Sequence, residues 1–243
     1  MNSSPKRVVV LWTGGKDSCL ALFRVLEANL HVCALATFVP GPDATFQAHP
    51  LEIMQRQAQE LGLRHELVTV SPPYRPSYEA GLARIKARFQ ADAVVTGDID
   101  EVAAFPNWIS QCAAAAGLET IRPLWRQPRL SLLREVVERK IRATISWIND
   151  PRLASLGVGR RLDDAWIQAL ERLAKTTDID LCGENGEYHT MVCHLPRIAG
   201  LSASRSQCQT EVSPCSPPTV PAACGKTPAC APWCASTEST APP

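Results

Sequence analysis

Six consecutive residues, Thr13-Gly14-Gly15-Lys16-Asp17-Ser18, place two glycines, a cation, a carboxylate and two hydroxyls directly behind the apolar run Val8-Val9-Val10-Leu11. Paired glycines let backbone N–H groups approach an anion closely. A helix beginning here adds further N–H donors and the positive end of its dipole, worth ~0.3–1 kcal/mol per charge when exposed. Lys16 can neutralise phosphate oxygens, Thr13 and Ser18 supply hydroxyl donors, and Asp17 can hold Mg²⁺. The chemistry these residues suit is the binding of a polyphosphate. It is not the Walker arrangement, which needs glycine where Val10 stands and Ser or Thr where Asp17 stands. A plain strand-to-helix turn capped by Ser or Asp is the bland alternative. Such a turn has no need of this order of residues.

A second constellation, Asp180-Leu181-Cys182-Gly183-Glu184-Asn185-Gly186-Glu187-Tyr188-His189-Thr190, gathers carboxylates, an imidazole, a phenol and a hydroxyl around two glycines. Gly183 and Gly186 permit sharp turns that can bring Glu184, Glu187, Tyr188, His189 and Thr190 onto one ligand. Asn185-Gly186 is also a strong type I′ signal, so a hairpin tip is expected here, either solvated or presenting its carboxylates to a site. Asp98, at the end of a predicted central strand, is a candidate for the metal or the nucleotide, with helix capping an equal alternative. His49, in the long segment Pro40–Pro50, reads as a surface histidine ahead of a nucleotide contact.

The elements that must position these groups alternate. Strands are expected at Val8–Leu11, Val32–Phe38, Glu66–Val70 and Ala93–Thr96. Helices are expected where Cys19, Leu22, Phe23, Leu26 and Leu30, then Leu51–Leu61, then Tyr78, Leu82, Ile85 and Phe89 recur at helical spacing. Strands alternating with helices of this length imply right-handed crossovers and a parallel sheet covered on both faces. The fold class is α/β, a doubly wound parallel sheet, with ligands beyond the carboxyl ends of its strands. After Pro123 the pattern changes to a helix at Leu130–Lys140, a strand at Ala143–Ile148 and a helix at Asp163–Ala174, a smaller C-terminal α+β subdomain. The expected divisions are 1–122, 123–198 and a tail, 199–243.

That tail is Ser, Thr, Pro, Ala and Cys with few large apolar residues, a composition that favours disorder. Of the ten cysteines, Cys208, Cys215, Cys224, Cys230 and Cys234 fall in it, at spacings that match no zinc pattern. Cys19, Cys33, Cys112, Cys182 and Cys193 are read as buried free thiols. The formal net charge of +1 gives no footprint for nucleic acid. With no signal peptide and no run of ~20 apolar residues, a cytoplasmic location is the default and no membrane partner is expected.

The glycine loop resembles that of the PP-loop ATP pyrophosphatases, usually Ser-Gly-Gly-x-Asp-Ser, with Thr13 keeping the first hydroxyl. Together with Gly183-Glu184-Asn185-Gly186-Glu187-Tyr188-His189-Thr190, it is similar to the diphthine–ammonia ligase family. The likeness continues at Gly97-Asp98, Gly117-Leu118, Pro123-Leu124-Trp125 and Leu156-Gly157 and covers roughly 7–196. It implies a Rossmann-like nucleotide domain of the adenine nucleotide alpha hydrolase type, ATP and Mg²⁺ as cofactors, and ammonium as the nitrogen source. It also implies a carboxylate acceptor, diphthine on elongation factor 2, that is adenylated and then amidated. Thr13, Gly14, Gly15, Lys16, Ser18 and Asp98 would bind ATP, with Asp17 on the metal. Gly183, Glu184, Gly186, Glu187, Tyr188, His189 and Thr190 would line the acceptor pocket. Lys16, Asp17 and Glu187 would carry the chemistry, Glu187 as base toward ammonium. The wording Cys-Gly-Glu-Asn-Gly-Glu-Tyr-His-Thr is closer to bacterial relatives, which implies a different small-molecule acceptor as the alternative. A non-catalytic nucleotide-binding module is another. A tRNA-thiolating enzyme is disfavoured by neutral charge and the absence of C-x-x-C, and the oligomeric state stays open, a homodimer included.

Overall fold

The computed structural model describes residues 4–41, 48–101 and 108–196. Five strands, β1 (Arg7–Leu11), β2 (His31–Val39), β3 (His65–Thr69), β4 (Ala93–Val95) and β5 (Glu119–Ile121), form one sheet in the order β3-β2-β1-β4-β5. Every pairing in it is parallel. In β1, Val8 and Val10 join one apolar cluster and Val9 and Leu11 the other, the two-residue alternation of a strand buried on both faces. Helices α1 (Lys16–Glu27) and α2 (Leu51–Glu60) cover the first face through Cys19, Leu22, Met54 and Ala58. Helices α3 (Tyr74–Phe89) and α4 (Trp108–Ala115) cover the second through Tyr78, Leu82, Ile85, Ile109 and Cys112. The chain steps outward from β1 to β3, then returns past β1 to β4 and β5. Its direction therefore reverses between β1 and β4, the crevice where such sheets take ligands. The doubly wound α/β sheet read from the sequence is the one observed.

Helix α4 and strand β5 were not anticipated. Three half-exposed residues are too few for alternation to announce a strand, and β5 forms because β4 offers it an edge.

Beyond β5 come α5 (Arg129–Glu138), β6 (Arg142–Ile148), a 3-10 turn (Pro151–Leu156), α6 (Asp164–Ala174) and β7 (Tyr188–His194). Here the expected hairpin is corrected. Strand β7 pairs antiparallel with β6, on the far side of the 3-10 turn and α6. Asn185-Gly186 lies in a loop of successive turns leading into β7, with Gly183 at φ 77 and Gly186 at φ 82. No apolar run precedes Asn185 to act as a partner strand, so the turn signal closes a loop rather than a hairpin.

The two sheets share one core. Leu132, Leu133, Val136, Ile145, Ile167, Leu170 and Tyr188 pack in the same cluster as Val8, Leu20, Leu22 and Leu35. Cys19, Cys112 and Cys182 are buried as expected; Cys33 is only half-buried and Cys193 is exposed. No helix among the described residues is long and apolar enough to cross a membrane. The tail and its five cysteines lie outside the described residues.

Candidate functional site

Strand β1 delivers the glycine loop to the crevice. Gly14 has φ +71, and a Cβ on it would lie 2.6 Å from Gln57 Oε1 and 2.9 Å from Met54 Cγ. A Cβ on Gly15 would lie 3.0 Å from the Thr190 carbonyl oxygen and 3.3 Å from His49 Cε1. Gly15 caps α1 without any side-chain hydrogen bond, so the loop itself supplies the helix entry. The Thr13 hydroxyl donates to Ser18 Oγ (3.2 Å) and the Ser18 hydroxyl to the Gly15 carbonyl (3.2 Å), which holds the two hydroxyls together at the loop.

On the β4 side, Gly97 is pressed against the start of α1. A Cβ there would sit 2.7 Å from the Asp17 carbonyl carbon and 2.8 Å from the Ser18 nitrogen. Both are backbone atoms and cannot rotate aside. Gly97→Ala should therefore push the helix entry away from β4, at a cost of ~1–3 kcal/mol typical of overpacking. Thermal unfolding should show a fall in Tm of several degrees, with weakened nucleotide binding. A variant matching the wild type in both would show that this approach has slack.

Lys16 joins the two motifs. Its side chain is buried and its Nζ donates to the Cys182 carbonyl (2.5 Å) and to Asp17 Oδ2 (2.8 Å), 5.3 Å from the Tyr188 ring centroid. Its backbone N–H donates to Thr190 Oγ1 (3.1 Å). Burial opposes the charge on Lys16, but Asp17, then Tyr188 and Cys182, favour it, and the ammonium titrates well above the ordinary lysine range. Gln57, which the sequence did not single out, completes the junction. Its Nε2 donates to the Gly14 carbonyl (3.1 Å) and the Val192 carbonyl (2.7 Å), and its Oε1 accepts from Trp12 Nε1 (3.0 Å). The Val192 N–H donates to the Gly14 carbonyl (2.9 Å). A glutamine inside an otherwise apolar helix face was the available signal, since a buried amide needs partners for both of its ends.

The carboxylates divide into two kinds. Glu187 is buried and saturated by its own loop: Oε1 accepts from the Asp180 N–H (2.8 Å) and Asn185 Nδ2 (3.2 Å), Oε2 from the Asn185 N–H (3.0 Å). This differs from the free base expected at that position; the side chain folds the loop. Glu187→Gln would set an amide N–H₂ against a backbone N–H, and an unmet buried donor costs ~1–3 kcal/mol. The expected result is a lower Tm together with weaker nucleotide binding, because the loop also carries the Cys182 carbonyl. An unchanged Tm would return Glu187 to the groups that face the crevice.

Glu184, in contrast, faces the crevice. One oxygen accepts from the Ile99 N–H (3.2 Å), and burial, then the charge of Asp17, pushes its carboxyl up to about 7. Asp98 accepts from the Thr96 hydroxyl (2.8 Å) and is pushed up by burial and by Asp17, with Arg122 pulling the other way. Burial also raises Asp17 against the pull of Lys16. Arg129, not anticipated, bridges Asp180 (2.9 Å) and Asp100 (3.1 Å) and so ties the second motif to the segment after β4. Tyr188 is buried, its hydroxyl donating to the Leu181 carbonyl (2.7 Å), and is a wall rather than a contact for solvent-borne groups.

His49 departs from its expected surface position. It lies against Gly15, edge-on to His189 with ring centroids 5.3 Å apart. The site thus combines a glycine cradle, a helix start, two hydroxyls and a lysine, which suit a polyphosphate. No three His, Cys, Asp or Glu side chains among the described residues converge as a metal cage. Mg²⁺ carried on phosphates needs only one or two carboxylates, which Asp17 and Asp98 can provide.

Residues 6–120 match the model of the diphthamide synthase N-terminal domain and residues 128–199 that of the diphthamide synthase C-terminal domain. The diphthine–ammonia ligase of Danio rerio is 24% identical over 223 residues, 78% of this chain and 83% of that protein. The Homo sapiens enzyme of the same name is 24% identical over 223 residues, 78% and 79%. A solved structure described as a predicted subunit of a tRNA methyltransferase from Methanocaldococcus jannaschii is similar with a TM-score of 0.43 at 16% identity, covering 79% of this chain and 98% of that one. A likeness at that level has no bearing on function.

Proposed function

Since the chain belongs to the diphthamide synthase family, we propose that it is an ATP-dependent amide ligase, forming AMP and pyrophosphate while joining ammonia to a carboxylate. Diphthine on elongation factor 2 is the acceptor we propose, after the name its relatives carry. The observation that carries this proposal is the contact of Lys16 with the Cys182 carbonyl, which puts a phosphate loop and an acid-rich loop into one crevice.

In this mechanism Gly14, Gly15 and the first turn of α1 cradle the β- and γ-phosphates, with the paired hydroxyls of Thr13 and Ser18 as further donors. Lys16 exchanges the Cys182 carbonyl for a phosphate oxygen. Asp17 and Asp98 would hold Mg²⁺, which would offset phosphate charge. The acceptor carboxylate attacks the α-phosphorus and pyrophosphate departs; ammonia then attacks the acyl carbon and AMP leaves. Activation is needed because a carboxylate oxygen is a poor leaving group and AMP a good one. Glu184 takes the proton from ammonium, since a carboxyl titrating near neutrality is suited to that transfer. In this reading residues 1–122 hold ATP and residues 123–198 contribute the acceptor side of the crevice.

Purified protein with ATP, Mg²⁺ and ammonium should yield AMP and pyrophosphate in proportion to added acceptor. ADP and phosphate as products would overturn the proposal. ATP recovered intact with every acceptor offered would make the chain a nucleotide-binding module.

A further inference from the structure

We propose that His49 is a ligand of the nucleotide's polyphosphate, turned onto the glycine loop from the connection between β2 and α2 and backed by His189. The inference rests on the ATP-binding role proposed above and adds a residue to it.

Three observations meet at this ring. Its Cε1 stands 3.3 Å from the place a Cβ would occupy on Gly15, the residue that caps α1. The Thr13 backbone, two residues before Gly15, favours the charged form of this ring, so the imidazole lies beside the loop on both sides of Gly14. Yet Nδ1 is buried and has no hydrogen-bond partner. A buried ring nitrogen without a partner costs free energy comparable to a lost hydrogen bond, and at a binding loop it marks where a ligand atom completes the set.

The surroundings decide which part of the ligand that is. His189 meets the ring at an interplanar angle of 80°, and the next residue, Thr190, accepts from the Lys16 N–H. His49 therefore stands over the anion cradle itself. Burial, then His189, holds the imidazole down to about 3, with Lys16 adding to the effect and the Thr13 backbone opposing it. His189 is likewise lowered by burial and by Lys16. Both rings are thus neutral in the empty site at neutral pH. Nδ1, buried and without a partner among the described residues, is the ring nitrogen left to take up a ligand contact. The arrival of phosphate charge favours the imidazolium, so the ring takes a proton from solvent and Nδ1–H donates to a phosphate oxygen. Charge is then added only when the anion is present to offset it.

The test uses the full chain and three probes: ATP, AMP and inorganic pyrophosphate. Calorimetry in two buffers of different ionisation heat should show proton uptake when pyrophosphate or ATP binds the wild type near pH 7. His49→Ala should weaken both ligands roughly tenfold or more, the loss of a hydrogen bond to a charged group, abolish the uptake, and leave AMP within about twofold. His49→Gln, which keeps volume and a donor, should recover part of the affinity without the uptake, and it stands in if the alanine variant does not fold. Unchanged affinity for pyrophosphate, or equal losses for ATP and AMP, would overturn the assignment while leaving the ATP site in place. A wild type that binds neither ATP nor pyrophosphate would overturn the proposed function, and this inference with it.

Discussion

Replacing Lys16 by alanine should lower AMP formation in the proposed reaction roughly 10²–10³-fold, the usual loss when a preorganised charge at a developing anion is removed. The size follows from where the ammonium sits. It is buried, so its field is not dissipated by water, and it is held by a carbonyl and one carboxylate from which it can swing a short distance onto phosphate. Charge grows on the leaving pyrophosphate as the bond to the α-phosphorus breaks, so turnover should suffer more than ATP affinity. Lys16→Met, which keeps most of the volume, separates this from packing: it should restore the Tm lost by alanine and none of the rate. The measurement is AMP release beside ATP affinity for both variants. A methionine variant within tenfold of the wild type would remove Lys16 from the reacting groups.

Glu184→Gln should lower amide formation by roughly 10²–10⁴, the range of a positioned proton acceptor, while ATP affinity changes little. Acyl adenylate would still form and hydrolyse, so AMP would appear without amide. The same substitution tests the electrostatics without substrate. The Glu184 carboxyl is raised from 4.5 to about 7 in the folded protein, so the folded state binds this proton more tightly than the unfolded chain. Its contribution to stability is fully present below about 4.5 and is lost as pH rises through about 7. Between those values the wild-type Tm should fall relative to that of Glu184→Gln, and above them the difference should be constant. A difference that is flat across the whole window would mean that Glu184 is ionised at its ordinary pH, and the role of proton acceptor near neutrality would go with it.

Much of this molecule was legible because the information is local. The β-branched run ending at two glycines specifies a buried strand that must turn sharply, and Gly14 at φ +71 is the conformation a side chain would resist. Helical spacing of Tyr78, Leu82, Ile85 and Phe89 specified which face of α3 is buried, and all four are. The order of the two polar motifs, and the residue types within them, are what the proposed phosphate and carboxylate chemistry rests on.

What the sequence could not decide was the direction in which each of those side chains faces. Glu184 and Glu187 are three residues apart in one motif, yet one faces the crevice and the other is consumed by the amides of Asp180 and Asn185. Asn185-Gly186 carries the signal of a hairpin, but a turn becomes a hairpin only if a strand stands on each side of it, and β7 found its partner in β6. His49 sits in a polar segment that reads as surface, and the fold lays it against Gly15 of the loop and His189 of β7. Gln57 and Arg129 act between segments remote in the chain: the glutamine stands out within an apolar helix face, but neither spacing nor local composition names the partners of either residue. Local sequence sets backbone conformation and residue chemistry. Whether a carboxylate is a base or a clamp depends on which donors the tertiary fold places within hydrogen-bond reach, and that is a property of the assembled core.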